Sequence, residues 1–513
     1  MSSPEDKDIE LVEQVSSPRD MKWLDDLLLF RWYSLRVLLM VTLATFTSLA
    51  SNVFMIFGGA TPNIIGCDGF KVDNCHGLQA LQNLTGCQPL LDYQFISTQV
   101  EFNLICDEEA TFVKNTISIQ ILGVLIGAAN FRKISDRIGR QYSLLITSFG
   151  CAVSCSLAAF TDDFMVFTIL RIFCGYFSGG LAVVQTVFKS ENISKKHLIW
   201  ILNMISWSTM LTIFPLVAYF SHDWRTLSIV IGCTSFLTFL SIFLLHESPR
   251  FYIQRMEFKN ALRVLIAIRK IDRMYNDEFK EDVSEVLAWE RWAIHESMNK
   301  PIKFDYLSLK WKGRTVILMT GIACTSAIVY SLMYNMEHLP GSLYWNCAYI
   351  GAARWTVNIL ITLLDCKFIW FGRKIASQLS MVLTAIALAG ISGYIYIGES
   401  GMILTIGTVI AASMCSQLFI LKYMMVNELY PSEIRLMTLS AVSNMSRIGS
   451  MFSPQIFFLA EYAEWLPYVL IFCLQIYDLV VFSIAIPETK SVHLLHQKLH
   501  GSKRRQSHIV ADN

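Results

Sequence analysis

Four basic side chains stand inside long apolar stretches of the chain: Arg171, Arg354, Lys422 and Arg447. In hydrocarbon each costs at least about 2.5–3.5 kcal/mol on insertion scales, so each requires a partner, a wet cavity or a ligand. The clearest acid in such a stretch is Asp478. Surplus positive charge in a low-dielectric cavity favours an anion, and a guanidinium matches a carboxylate, sulfate or phosphate through two parallel N–H donors. Arg447 is the strongest candidate for that chemistry. Arg171 has helix packing or coupling as its alternative use, and Lys422 has snorkelling toward an interface.

A second set of charges sits where apolar stretches end. Asp136, Arg137, Gly139 and Arg140 fall within RKISDRIGR. An acid at a helix end beside two arginines can form a network that latches one state and releases in another, and Gly139 permits the tight turn. The pattern recurs. Gly139 and Gly372 lie 233 residues apart, Glu191 and Glu428 lie 237 apart, and Glu247 and Glu488 lie 241 apart. Arg140 thereby corresponds to Arg373. Near-equal offsets indicate a duplication, and parallel six-helix repeats place a substrate site at the interface of the halves, near the bilayer midplane.

The elements that must carry these residues are membrane helices. The chain has 513 residues, 54% of them hydrophobic and only 16% charged, outside the range of soluble domains. Apolar windows of about 20 residues, enough to cross the hydrocarbon, run over 37–58, 113–131, 142–161, 164–186, 198–220 and 226–246. They resume over 315–335, 343–365, 375–397, 401–426, 438–460 and 465–486. The fold class expected is an all-α membrane protein of twelve helices in two six-helix halves, 37–246 and 315–486. A polar arm precedes them over 1–36, a linker separates them over 247–314 and a tail follows over 487–513.

Basic residues concentrate in alternate loops, including Lys189, Lys367 and the run from Arg250 to Arg314, which predicts both termini on the cytoplasmic side. The opening MSSPEDKDIELVEQ lacks the basic and apolar regions of a cleavable signal, so insertion is expected to rely on the first helix. The long first outer loop, about 59–111, holds Cys67, Cys75, Cys87 and Cys106 and a sequon at Asn83. In an oxidising space four cysteines suggest two disulfides, with three connectivities open. A zinc site using His76 is the alternative. The linker contains helical patterns such as EFKNALRVLIAIRKI, suited to lying under the bundle at the membrane surface.

The ordered D-R-x-G-R at Asp136–Arg140 resembles the loop between helices two and three of the major facilitator superfamily. Glu247-Ser248-Pro249-Arg250 and Pro487-Glu488-Thr489 resemble its half-end signatures. PLVAYFSHDWRTLSI from Pro215, and NELYPSEIR with Arg435 followed by SRIGSMFSP, resemble the organic cation, anion and zwitterion transporter family of solute carriers, over nearly the whole chain. That resemblance implies an alternating-access carrier, with Asp136, Arg137, Gly139, Arg140, Glu191, Glu247, Arg250, Gly372, Arg373, Glu428 and Arg435 in gating. It aligns Arg447 with an arginine of anion and carnitine-type members and Tyr330 with a tyrosine of the binding region. Asn358 falls near the place of those members' helix-eight lysine, whereas Arg354 stands where they have an acid. Trp207, Tyr334 and Trp355 are further cavity candidates, since aromatic faces suit flat or cationic groups.

The function expected is transport of small organic ions, favouring anions or carnitine-like zwitterions, in the plasma membrane and without enzymatic activity. The alternatives are an organic cation carrier, a sugar porter, or a receptor-like homologue that does not transport; Arg132, where the family has glycine, and Ile369 and Trp370, in place of a D-R pair before Gly372, keep the last open. The expected partners are the solute, the bilayer and a coupling or exchange ion. No nucleotide-binding loop, resident metal, cofactor or nucleic-acid signature is present in the sequence.

Overall fold

A computed structural model describes residues 24–489, apart from 68–69, 72–74, 76–83, 85–86, 88, 300–308, 369–370, 399–400 and 431. Asn83, His76, Ile369 and Trp370 therefore lie outside the described residues, as does the side chain of Cys67. The bundle helices of the first half are α1 (Trp32–Val53, carried on by Met55–Gly58), α2 (Asp107–Ile138), α3 (Arg140–Ala158), α4 (Phe164–Asn192), α5 (Trp207–Ser221) and α6 (Trp224–Ile242). Those of the second half are α7 (Leu309–Tyr334), α8 (Leu343–Lys367), α9 (Arg373–Tyr396), α10 (Met402–Leu429), α11 (Ser432–Met451) and α12 (Leu466–Ala485).

Among the described residues eleven spans are long and apolar enough to cross a membrane, α5 qualifying only together with the residues before it, as Trp200–Ser221. The twelfth, α11, is the one that carries Arg447, together with Asn444 and Ser446, and it ends early at Met451. The window expected over 438–460 is thus two pieces, with a short helix Ser453–Ile456 following the break. The window over 198–220 is also interrupted. A helix Lys195–Met204 stops at Ile205, and Ser206 starts α5 by accepting a hydrogen bond from the Thr209 N–H. Serine in that position satisfies one of the free N–H groups of a new helix, which apolar composition alone does not reveal.

Small residues set the closest helix pair. A Cβ at Gly123 or Gly127 of α2 would strike the Ile172 or Tyr176 carbonyl of α4, and one at Gly175 or Gly179 of α4 would strike the Gln120 or Val124 carbonyl of α2. Glycines four apart on both helices let the backbones touch, as membrane interfaces favour.

Two ends of the bundle can be told apart. One carries a three-stranded antiparallel sheet between α1 and α2, in the order β2-β1-β3: β1 (Asn63–Cys67), β2 (Phe70–Lys71) and β3 (Pro89–Asp92). There Cys75 is disulfide-bonded to Cys106, and Cys87 is disulfide-bonded as well. The other end carries the linker helices Pro249–Gln254, Phe258–Ile271 and Asp277–Asn299. Leu24, Leu27 and Leu28 pack onto their apolar faces with Ala261, Leu265 and Val283, and Asp272 accepts the Tyr33 N–H at 2.9 Å.

Candidate functional site

Arg447 lies between the halves. Its guanidinium stands 5.8 Å from the centre of the Trp207 ring. Trp207 is the first residue of α5, so the arginine meets a helix N-terminus opened inside the span by the Ile205–Ser206 break. Unpaired N–H groups at such an end carry partial positive charge and favour anions. No carboxylate is recorded against Arg447 among the described residues. Tyr334 lies within electrostatic reach of Arg447 and of Tyr330, and its ring stacks on Tyr330 at 6.1 Å. Tyr423 of α10 also lies within electrostatic reach of Arg447.

Arg354 approaches the same group from α8, with Tyr330 in electrostatic reach. Its Nη1 donates to the Met333 thioether at 3.1 Å, and its buried Nε has no hydrogen-bond partner among the described residues. Asn358, one turn on, donates from Nδ2 to the Ser208 hydroxyl across the halves at 3.1 Å, while its own Oδ1 is left unpaired. The neighbouring Trp355 donates to the Asn203 carbonyl at 3.2 Å.

Of the other two basic candidates, Arg171 also comes within electrostatic reach of Tyr334, whereas Lys422 is placed elsewhere. Arg171 is fully buried in the first half. Its Nε and Nη2 donate to Gln120 Oε1 at 3.1 and 2.9 Å, Nη2 also reaches the Ser51 carbonyl at 2.7 Å, and its plane lies 4.2 Å from the Phe54 ring centre. Nη1 is unpaired, and no acid is recorded against it among the described residues. Lys422 neither faces the Arg447 group nor snorkels. It is wholly buried against Asp478, Nζ to Oδ2 2.5 Å, and donates to Thr325 at 2.9 Å. The pairing leaves Arg171, Arg354 and Arg447 as membrane cations with no acid against them among the described residues.

At the linker end each half closes its own charge network. Arg140 donates from Nε and Nη2 to Glu191, both at 3.2 Å, and pairs with Asp136 at 3.2 Å. Glu247 accepts from the Gln141 N–H at 3.0 Å and the Ser248 N–H at 2.9 Å. Its carboxylate occupies the space a Cβ on Gly139 would fill, and Gly139 has φ +105°, so glycine is required twice over. Burial lifts the Glu247 carboxyl above its ordinary range, despite these N–H donors and the charge of Arg140.

The second half repeats the design. Glu488 accepts from the Arg373 and Lys374 N–H groups at 2.8 and 3.0 Å and fills the space beside Gly372. Arg373 donates to Glu428 from Nε and Nη2, both at 3.2 Å. It also pairs closely with Asp365, which takes the part that Asp136 plays in the first half. Asp136 precedes its arginine by four residues and Asp365 by eight, and for that reason the sequence motif hides it. Of the other gating candidates, Arg435 donates to the Tyr430 carbonyl at 3.1 Å, Arg137 is exposed and Arg250 is the second residue of the first linker helix.

At the sheet end polar contacts cross between halves. Glu337, between α7 and α8, accepts from the Thr61 N–H at 2.9 Å and hydroxyl at 3.2 Å, and faces Lys114 of α2 at 3.7 Å. Tyr344 stacks on Phe57 at 5.3 Å, and Ser118 donates to the Met451 carbonyl at 2.8 Å. Glu337 carries no sequence motif. Burial pushes its carboxyl up, but His338, Lys114 and the Thr61 N–H more than offset that and hold it below the usual range.

The "Sugar (and other) transporter" family matches residues 78–499. The chain belongs to that family. Solute carrier family 22 member 6 of Pseudopleuronectes americanus is 26% identical over 386 residues, which is 72% of this chain but 65% of that relative's own length. Member 3 of Rattus norvegicus is 25% identical over 437 residues, 82% of this chain and 76% of its own. Both relatives are named as members of solute carrier family 22, and the chain is similar to them over most of its length. The xylose transporter XylE of E. coli, in an inward-open conformation, superposes with a TM-score of 0.64 at 16% identity over 89% of this chain and 97% of its own, a likeness of fold. As a member of a carrier family, the protein is a multi-pass membrane protein and not an enzyme.

In a carrier of this family the Glu337 contacts amount to a closure at one mouth. An acid with a depressed pKa contributes its interaction above its ordinary range and loses it as pH falls through the lower, folded value. The closure is therefore expected to hold at neutral pH and to weaken only as pH falls below the ordinary glutamate range. Glu337→Gln is expected to reproduce the weakened state at neutral pH, removing charge-assisted bonds of about 1.5–3 kcal/mol. A cysteine placed at Tyr334 should then react with an impermeant maleimide from the sheet side several-fold faster, and an unchanged rate would dismiss the closure.

Proposed function

We propose that this carrier moves small organic anions or carnitine-like zwitterions by alternating access, its two halves rocking about the Arg447 group. The observation that carries the reading is the pairing of charges. Lys422 neutralises Asp478, while Arg447 and Arg354 meet tyrosines, a tryptophan and a thioether but, among the described residues, no carboxylate. A guanidinium kept from its own acids inside a membrane protein is suited to a ligand's acid. The same contact weighs against the cation alternative, since Arg447 already occupies the Trp207 face that a quaternary ammonium would seek.

With the termini on the cytoplasmic side, the sheet end faces outward, and Glu337, Thr61 and Tyr344 close it in an inward-facing state. The linker-end networks, each built within one half by the contacts described above, then exchange partners when that end closes. Asp365 supports transport over a receptor role, because it supplies the acid that Ile369 and Trp370 do not.

The test is uptake of four labelled solutes in cells expressing the chain: an aryl sulfate, carnitine, tetraethylammonium and a hexose. Saturable uptake of the first or second is the expected result. Uptake of the ammonium alone or the hexose alone would overturn the reading, and no uptake of any despite surface expression would favour the receptor alternative.

A further inference from the structure

Asp478 is the acid set deepest within a described membrane helix, and its surroundings are built rather than incidental. Besides Lys422 Nζ at 2.5 Å, its Oδ1 lies where a Cβ on Gly321 would stand, so α7 passes the carboxylate at backbone distance. Thr325, one turn beyond, accepts from Lys422 at 2.9 Å and donates to the Gly321 carbonyl at 2.8 Å. The remaining titratable side chains recorded near Asp478 among the described residues are the thiols of Cys324 on α7 and Cys415 on α10. On the α9 side the neighbour is uncharged, with Gln475 of α12 donating to the Met381 carbonyl.

A buried ion pair contributes little stability that apolar side chains of the same volume would not, so stability is a weak reason for this one. Intramembrane acid–base groups do mark proton paths. A short physical route also joins the pair to the Arg447 group. Ser326, next to Thr325, shares a hydrogen bond with Ser446 at 2.7 Å, and Ser446 precedes Arg447. Gly449, two residues past Arg447, is pressed against the Ala323 carbonyl, so α7 and α11 move as neighbours in direct backbone contact.

We propose that Asp478 is a proton-binding site coupled to the ligand at Arg447, making the carrier an anion–proton symporter; this rests on the anion reading above. With Asp478 ionised the pair is neutral. A proton from water forms an O–H bond on the carboxylate, Lys422 keeps its ammonium, and the carrier gains one positive charge. A bound monoanion offsets that charge, and when it leaves the O–H bond breaks and the proton returns to water. Each site must strengthen the other by the same factor.

The experiment titrates 4-methylumbelliferyl sulfate into the purified full-length carrier in weak buffer, reading binding and pH together. Binding is expected to take up protons, approaching one per anion, and to tighten by up to about tenfold per pH unit on acidification. Asp478→Asn should bind without proton uptake. The double variant Lys422→Met with Asp478→Leu, which removes both charges and keeps the volume, should do the same if the single variant fails to fold. Anion binding by the wild type without proton uptake would overturn the inference and leave the anion reading standing, as would proton uptake that survives in either variant. No binding by the wild type at any pH would sink the anion reading and this inference with it.

Discussion

Arg447→Ala is expected to lower uptake of an aryl sulfate by roughly ten- to a hundredfold at unchanged surface protein. Removing a hydrogen bond to a charged group costs about 1.5–3 kcal/mol, and every 1.4 kcal/mol is a factor of ten. Arg447→Lys should recover part of the loss, because an ammonium supplies the charge but not the planar pair of donors or the stacking on Trp207. Trp207→Ala is expected to act in the same direction and more weakly, since it leaves the charge in place and removes its platform. Uptake by Arg447→Ala equal to the wild type would take the residue out of the substrate path.

The second large effect is on stability. Lys422→Ala strands the Asp478 carboxylate in a wholly buried site, and breaking a buried pair on one side costs about 3–5 kcal/mol. Melting of the purified carrier in detergent should fall sharply for Lys422→Ala. For the double replacement Lys422→Met with Asp478→Leu it should return close to the wild type, because no charge is left without a partner. Equal destabilisation by both would mean that packing, not charge, decides this site. The contrast with Arg447 is informative: one membrane cation is expected to matter for folding and the other for ligand.

Much of this is legible in the sequence. The twelve apolar windows and the offsets between Gly139 and Gly372, and between Glu247 and Glu488, pointed to two related halves. The structure repeats that relation in atoms, with each glutamate accepting N–H groups at the start of the helix that follows its glycine. Arg447 stood out because a lone charge in an apolar run is expensive. Its meeting with Trp207 was not legible, because it depends on how helices from opposite halves face each other and on a break at Ser206 that hydropathy passes over.

Lys422 and Asp478 were each visible, yet they are 56 residues apart on helices whose relative rotation no periodicity in one chain fixes. Asp365 escaped because its loop is longer than that of Asp136, which shifts the acid without changing its partner. Glu337 escaped for another reason: acids in short polar connections are common, and its use appears only when Thr61 and Lys114 are brought to it from the other half.

The charge of the ligand is the central question, and direct binding to the purified wild-type carrier tests it without relying on transport. Fluorescent aryl sulfate and labelled tetraethylammonium would be titrated separately and then against each other. The expected result is saturable binding of the sulfate, displaced by other organic anions, lost in Arg447→Ala and unaffected by tetraethylammonium. Saturable binding of tetraethylammonium with none of the sulfate would contradict the account.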